Sequence, residues 1–297
     1  MSSQVPAFVD SHVHLWDLDK LRYPWLDLPE FDALRRNYLP ADWRVDSHAF
    51  DVAGLVHVQA EMDHNLDPVD ETQWLASLDF GEDPPPIVYV AYADLRDPRL
   101  AETLERHLAA GPVRGIRQEA WFDPASRRAD IPRHNLLDDR HWRVGLELLP
   151  SYDLSFDLLV WPHQLPQAGE IFAGIPELRV VLEHVGLPPI GDASAMGRWR
   201  EGLEGFAEQV PGSVLKLSAM AFVAGGWRTD DIGPIVLAAI DIFGVDRCIL
   251  GSNYPVDRVG ASYEQIWQGY EQITRDFEPG HRDLLFRANA VNVYRIV

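Results

Sequence analysis

The sequence holds a single cysteine, Cys248, in 297 residues. That excludes an internal disulfide and a thiolate metal cluster, and it suits a reducing compartment, so a cytoplasmic protein is expected. Basic residues are few: 26 Lys and Arg stand against 46 Asp and Glu, a formal net charge of −20. Phosphates and anionic bilayers would repel such a chain, which argues against nucleic acid and membrane partners and leaves small molecules. No apolar run approaches the length that spans a bilayer, and Met1–Pro6 lacks the basic start and apolar stretch of a secretion signal. There is no low-complexity tract and no long linker. Association into a homo-oligomer is left open.

What the sequence does contain is a rhythm of short apolar, β-rich runs separated by longer helical patterns. The runs are Ala7–His12, Val52–Gln59, Ile87–Ala93, Val113–Arg117, Phe156–Trp161, Arg179–His184, Ser213–Leu217 and Arg247–Gly251. Helical patterns such as Pro98–Ala110, Leu136–Leu149, Met196–Val210 and Asp231–Phe243 lie between them. Strands alternating with helices imply a parallel sheet, and eight of them in one uninterrupted domain over residues 1–297 predict a (β/α)8 barrel. A doubly wound open sheet would carry a glycine-rich phosphate turn after its first strand. Here that strand ends instead in Asp10-Ser11-His12-Val13-His14. The segment Leu15–Phe50 is too polar and irregular for a core helix yet rich in aromatics. We expect it to form a lid over the barrel mouth, with Trp16, Tyr23 and Trp25 excluding water from a site below.

A barrel of this kind works at the C-terminal ends of its strands. The period of two along a strand puts His12 and His14 on one face, close enough to share an ion or a substrate oxygen. The ordinary alternative is one histidine in a turn and one packed. Gln59 and Glu61 share a face at the second strand's tip, and Arg117 and Glu119 follow the fourth. His184 ends the sixth, Lys216 and Ser218 the seventh, and Gly251-Ser252-Asn253 the eighth. Polar groups therefore converge on one rim. Arg117 is the expected substrate clamp, since a planar guanidinium grips a carboxylate or carbonyl with two parallel hydrogen bonds; its alternative is a buried ion pair with Glu119, Glu61 or Glu183.

Several stretches resemble the amidohydrolase superfamily: Val9-Asp10-Ser11-His12-Val13-His14-Leu15-Trp16-Asp17, Tyr23-Pro24-Trp25, Arg114-Gly115-Ile116-Arg117, Leu182-Glu183-His184-Val185-Gly186-Leu187-Pro188 and Gly251-Ser252-Asn253-Tyr254-Pro255. More narrowly the chain is similar to the branch of TIM-barrel hydrolases that includes sugar-acid lactonases, muconolactone-type lactonases and pyrone-dicarboxylate lactonase. The resemblance implies that His12, His14 and His184 face the site and hold a divalent metal, zinc by the ligand type, although some lactonases of the branch work without one. It also implies that Trp161-Pro162-His163-Gln164 is a rim turn presenting His163 to a ligand. Where the superfamily usually has a metal-binding or proton-accepting aspartate, this sequence has Asn253, whose amide cannot act as a general base.

The expected activity is lactone opening by activated water on a sugar-acid or other small organic lactone. Glu61, Arg117 and Asn253 are the catalytic candidates, and Trp16, Tyr23, Gln59, Glu119 and His163 are the substrate contacts. Without a metal, Glu61 becomes the candidate base. A decarboxylase or hydratase of the same superfamily, or a silent ligand-binding barrel, are the alternatives.

Overall fold

The computed structural model describes residues 5–126 and 131–297. Among them, eight parallel strands follow one another in chain order around a nearly closed barrel: β1 (Phe8–Val13), β2 (Val52–Val58), β3 (Ile87–Tyr92), β4 (Val113–Arg117), β5 (Ser155–Leu158), β6 (Val180–Leu182), β7 (Val214–Leu217) and β8 (Cys248–Leu250). Each corresponds to an expected run. The sixth is shorter than expected because His184 and Val185 both turn into the left-handed region (φ 55° each), which ends the pairing at Leu182. The last seam, between β1 and β8, has its backbone hydrogen bonds at the top, and below them Ser11 Oγ donates to Leu250 O (2.7 Å). At the top Asn253 N–H donates to His12 O (2.8 Å), His14 N–H donates to Tyr254 O (2.8 Å), and Val13 bridges to Tyr254. Gly251 is required at this seam, because a Cβ there would sit 2.7 Å from His12 Cβ.

Inward positions change character along the strands. At one end Val9, Val56, Val88, Val181 and Ile249 form a dry plug. It is covered by Val293 and Tyr294 near the C-terminus, on α11 (Asn289–Tyr294). Two residues further along, the same face of β4, β5, β6 and β7 and their ends carries Arg117, Asp157, Glu183 and Lys216, all buried. The larger apolar cluster lies between the sheet and the helices, among them α3 (Leu100–Ala110), α6 (Ala193–Gln209), α8 (Thr229–Phe243) and α9 (Tyr263–Thr274). Aromatic packing is dense there: the Phe8 ring stacks on Trp267 of α9 with centroids 3.5 Å apart.

One buried polar contact in this layer is titratable. His107 of α3 bonds Thr72 Oγ1 (2.8 Å) and Tyr92 O (2.9 Å), and burial pushes its pKa down to about 4. Its folded pKa lies below the unfolded value of about 6.5, so its contribution to stability is present above that value and lost as pH falls toward 4. We therefore expect the loss of unfolding free energy between pH 7 and pH 5 to be smaller in His107→Gln than in the wild type. Urea titrations at the two pH values measure it, and identical losses would refute the assignment.

The segment between β1 and β2 is irregular, as expected, but it also contains a helix, α1 (Pro40–Ser47), after two short turns at Pro24–Asp27 and Pro29–Leu34. No helix among the described residues is long and apolar enough to cross a membrane.

Candidate active site

A cavity of about 530 Å³ opens at the C-terminal ends of the strands. His14, Glu61, Arg117, Glu119, His184 and Asn253 all line it. Five residues just past strand ends have positive φ: Glu61 (55°) after β2, His184 and Val185 after β6, Ala219 (59°) after β7 and Asn253 (54°) after β8. Non-glycine residues rarely adopt this conformation, and for a β-branched valine it is an outlier costing on the order of 1–3 kcal/mol. The strain is concentrated where Glu61, His184 and Asn253 are aimed into one space.

Hydrogen-bond accounting fixes the tautomer of His14. His14 Nδ1 lies 2.7 Å from Val58 O, which can only accept, so Nδ1 carries the proton and Nε2 is bare. That bare nitrogen sits 3.1 Å from His12 Nε2 and 3.3 Å from Asn253 Oδ1. The Asn253 amide is oriented by its other end, since Nδ2 donates to Asp257 Oδ1 (2.8 Å). Two acceptors, His14 Nε2 and Asn253 Oδ1, therefore face one another, an arrangement that a cation or a donor placed between them satisfies. His12 Nδ1 lies 3.1 Å from Glu183 Oε1, off the line of a good hydrogen bond. His184 Nδ1 contacts Ser218 Oγ at 2.9 Å.

Burial holds all three histidines neutral. It drives His12 and His14 well below the usual histidine range, with the Arg117 cation adding to the effect on His14, and it brings His184 down to about 4. Neutral imidazoles are the form that binds metal. Ligand atoms from His12, Glu183 and His184 lie within 4.8 Å of one another, so the best-spaced set for an ion includes Glu183 rather than His14. His14 stands beside this set, its Nε2 3.1 Å from His12 Nε2. The donor set, imidazole nitrogen with one carboxylate, fits zinc or a similar divalent ion.

Glu183 is the hub beneath this floor. Its Oε2 accepts from Arg117 Nη1 (3.1 Å), and its Oε1 faces Lys216 Nζ at 3.5 Å. Lys216 in turn donates to Asp157 (2.6 Å), which also accepts from Tyr294 OH (2.6 Å). Burial alone would raise the Glu183 pKa, but the Arg117 and Lys216 charges pull it well below the carboxylate range. Arg117 is thus spent largely inside the protein: its other Nη donates to Gln59 O at 2.6 Å, and Glu119 lies 3.8 Å away. Of the two readings the sequence allowed, the buried pair with Glu183 is observed, while the Nε of Arg117, which lines the cavity, has no protein partner.

Other expected contacts fall elsewhere. Trp16 does not line the cavity; it is buried between Trp25 and Tyr38, with its indole N–H donated to Arg36 O (2.6 Å). Tyr23 is also absent from the lining and lies buried beside Glu71. From that segment Pro24, Trp25, Leu28 and Phe31 form the wall instead. Gln59 is under the floor, bonding Glu61 through both ends of its side chain. His163 is exposed and outside the cavity, because the turn Pro162–Gln164 points Gln164 inward, where its amide donates to Ala120 O (2.8 Å). Glu61 does line the cavity but is held by Gln59 and by His64 Nε2 (3.2 Å); burial would raise its pKa, and His64 outweighs that and lowers it. A carboxylate so held is a poor proton acceptor.

Sequence reasoning does not single out Asp157, Asp257 or His64. Asp257 is the most consequential: its Oδ2 accepts from Ala221 N–H (2.8 Å), and burial pushes its pKa up to about 7. It stands one helical turn after Asn253, at the spacing that brings the two side chains together. Asp257→Asn frees the Asn253 amide to flip. We expect kcat/KM to fall about 10–100-fold, the usual cost of losing a group that orients a metal-site residue, with thermal stability followed in parallel. Unchanged turnover would contradict this role.

A (β/α)8 barrel with neutral imidazoles and a carboxylate gathered at its C-terminal mouth is the architecture of a hydrolase barrel. Residues 9–296 match the amidohydrolase family model, and the chain belongs to that family. It is 32% identical over 299 residues to L-fucono-1,5-lactonase of Burkholderia multivorans, covering 97% of this chain and 96% of that protein. It is 31% identical over 297 residues to the y4mH protein of Sinorhizobium fredii, covering 98% and 99%. A crystal structure of a Burkholderia multivorans amidohydrolase with bound zinc superposes with a TM-score of 0.82 at 29% identity, covering 98% of this chain and 100% of that one.

Proposed function

We propose that the chain is a lactone hydrolase, acting in the cytoplasm as one barrel unit over residues 1–297. The observation that carries the reading is that His14, with a bare Nε2, and His184 line the cavity while His12 and Glu183 are packed directly beneath them. The similarity to a protein named L-fucono-1,5-lactonase supports it. In the reaction a water oxygen bonds to the ring carbonyl carbon, the ring C–O bond breaks, and the proton lost by water ends on the departing alkoxide.

His12, His184 and Glu183, with His14 beside them, would hold a divalent ion, zinc on the donor set; when bound it acidifies water and polarises the carbonyl. The chain's own groups prepare that chemistry. Arg117 and Lys216 keep Glu183 ionised, Ser218 and Val58 orient His184 and His14, and Asn253, fixed by Asp257, presents its carbonyl oxygen to the same point. Asn253 here is an orienting group and not a base.

Acid release from a panel of γ- and δ-lactones tests the reading. Turnover of at least one lactone is expected, with Glu61→Gln keeping activity within about 10-fold of wild type, since Glu61 is already engaged by His64. A far larger loss in Glu61→Gln would return the base to that carboxylate. Carbon dioxide release from aromatic acids in place of acid release from lactones would overturn the reading in favour of decarboxylation, and silence across both panels would favour a binding barrel.

A further inference from the structure

The cavity walls bear on which lactone is taken. Trp25 and Phe31 meet edge to face with ring centroids 4.9 Å apart, and Phe31 stacks on Phe222 at 6.2 Å with an interplanar angle of 19°. All three line the cavity, so one aromatic face runs from the segment after β1 to the residues after β7. Leu187 and Val256, from the ends of β6 and β8, line the same space.

A polyhydroxylated ring needs a partner for each hydroxyl it takes out of water, and an unpaired one weakens binding. Among the described residues, most polar side chains lining the cavity above the floor are paired within the protein, and the Trp121 indole N–H is a donor without a protein partner. Gln118 accepts from Leu95 N–H (3.1 Å) and donates to Asp94 (3.1 Å). Arg96 gives Nε and Nη2 to the same Asp94 (2.8 and 2.9 Å). Asn65 donates to Asp63 (2.7 Å), and His64 lies flat on Tyr92 with centroids 3.9 Å apart while paired with Glu61. Arg133 and His134 are solvent-exposed, where water competes for every bond they make.

We propose that the site takes a lactone carrying an apolar substituent, an alkyl chain or an aromatic ring, with the ester over the polar floor and the substituent against the Trp25–Phe31–Phe222 face. A cavity of about 530 Å³ leaves room for both parts. This rests on the lactone-hydrolase reading above.

The test compares acid release from δ-valerolactone, from δ-lactones with three- and six-carbon side chains, and from hexono-1,5-lactones, using the full-length protein. We expect kcat/KM to rise at least about 10-fold from the unsubstituted ring to the six-carbon chain, with the hexono-lactones below both. Phe222→Ala should lower the ratio of six-carbon to unsubstituted substrate by about 5-fold or more. Phe222 is only half-buried, so the variant is expected to fold. Preference for the hexono-lactones, or rates indifferent to chain length, overturns the inference while leaving lactone hydrolysis standing. Absence of hydrolysis across the whole set overturns that reading and this inference with it.

Discussion

His12→Ala should lower kcat/KM for lactone opening by on the order of a thousandfold, the scale of losing a group that stabilises developing charge in a dry site. His12 is fully buried and joins two halves of the floor: Nδ1 faces Glu183 and Nε2 faces His14. Removing the ring takes away one of the atoms proposed to hold the ion and opens a gap between Glu183 and His14. Steady-state kinetics on the best lactone, with near-ultraviolet circular dichroism to verify the fold, gives the answer. A loss under about tenfold would mean that the reaction does not pass over this floor.

The largest effect on stability is expected at Glu183. It has no solvent exposure and lies within 4 Å of His12, Arg117, His184 and Lys216. Glu183→Gln leaves the Arg117 guanidinium buried with only the Gln59 carbonyl and the more distant Glu119, and leaves Lys216 with Asp157 alone. Breaking a buried ion network by removing one partner costs about 3–5 kcal/mol, which a urea unfolding curve at pH 7 resolves readily. The folded pKa of Glu183 is depressed, so its stabilisation is complete above the unfolded value of about 4.3 and is lost only as pH falls through the lower folded value. The difference between wild type and Glu183→Gln should therefore be full at pH 7 and shrink in strong acid. An unfolding midpoint unchanged at neutral pH would show that the network contributes nothing net.

The parts of this molecule legible in the sequence are those written in local patterns. Eight apolar runs became eight strands, and the spacing of His12 and His14 placed both rings at one point. What was hidden depends on closure of the barrel. Asp157 sat in a run that read as apolar, and nothing local says that its neighbour across the interior is Lys216, 59 residues on. Arg117 read as a clamp because its partner Glu183 lies 66 residues away. Trp16 and Tyr23 are aromatic and lie in the right segment, but composition does not say which ring faces the cavity and which lies behind it. Trp25 and Phe31, a few residues on, took those places. His163 failed for a similar reason, since a short turn can present only one of its neighbours inward and here that is Gln164. Asp257 had a usable signal, one helical turn after Asn253 with an acidic side chain, but its value is apparent only once the Asn253 amide is seen to need orienting.

The most direct measurement is metal stoichiometry followed together with lactone hydrolysis as a strong chelator is added and zinc is then restored. The cluster of His12, His14, His184 and Glu183 predicts about one divalent ion per chain, activity that falls in proportion as it is removed, and recovery on its return, none of it in His12→Ala. Full lactone-opening rates in protein whose metal content has fallen to near zero would contradict the account.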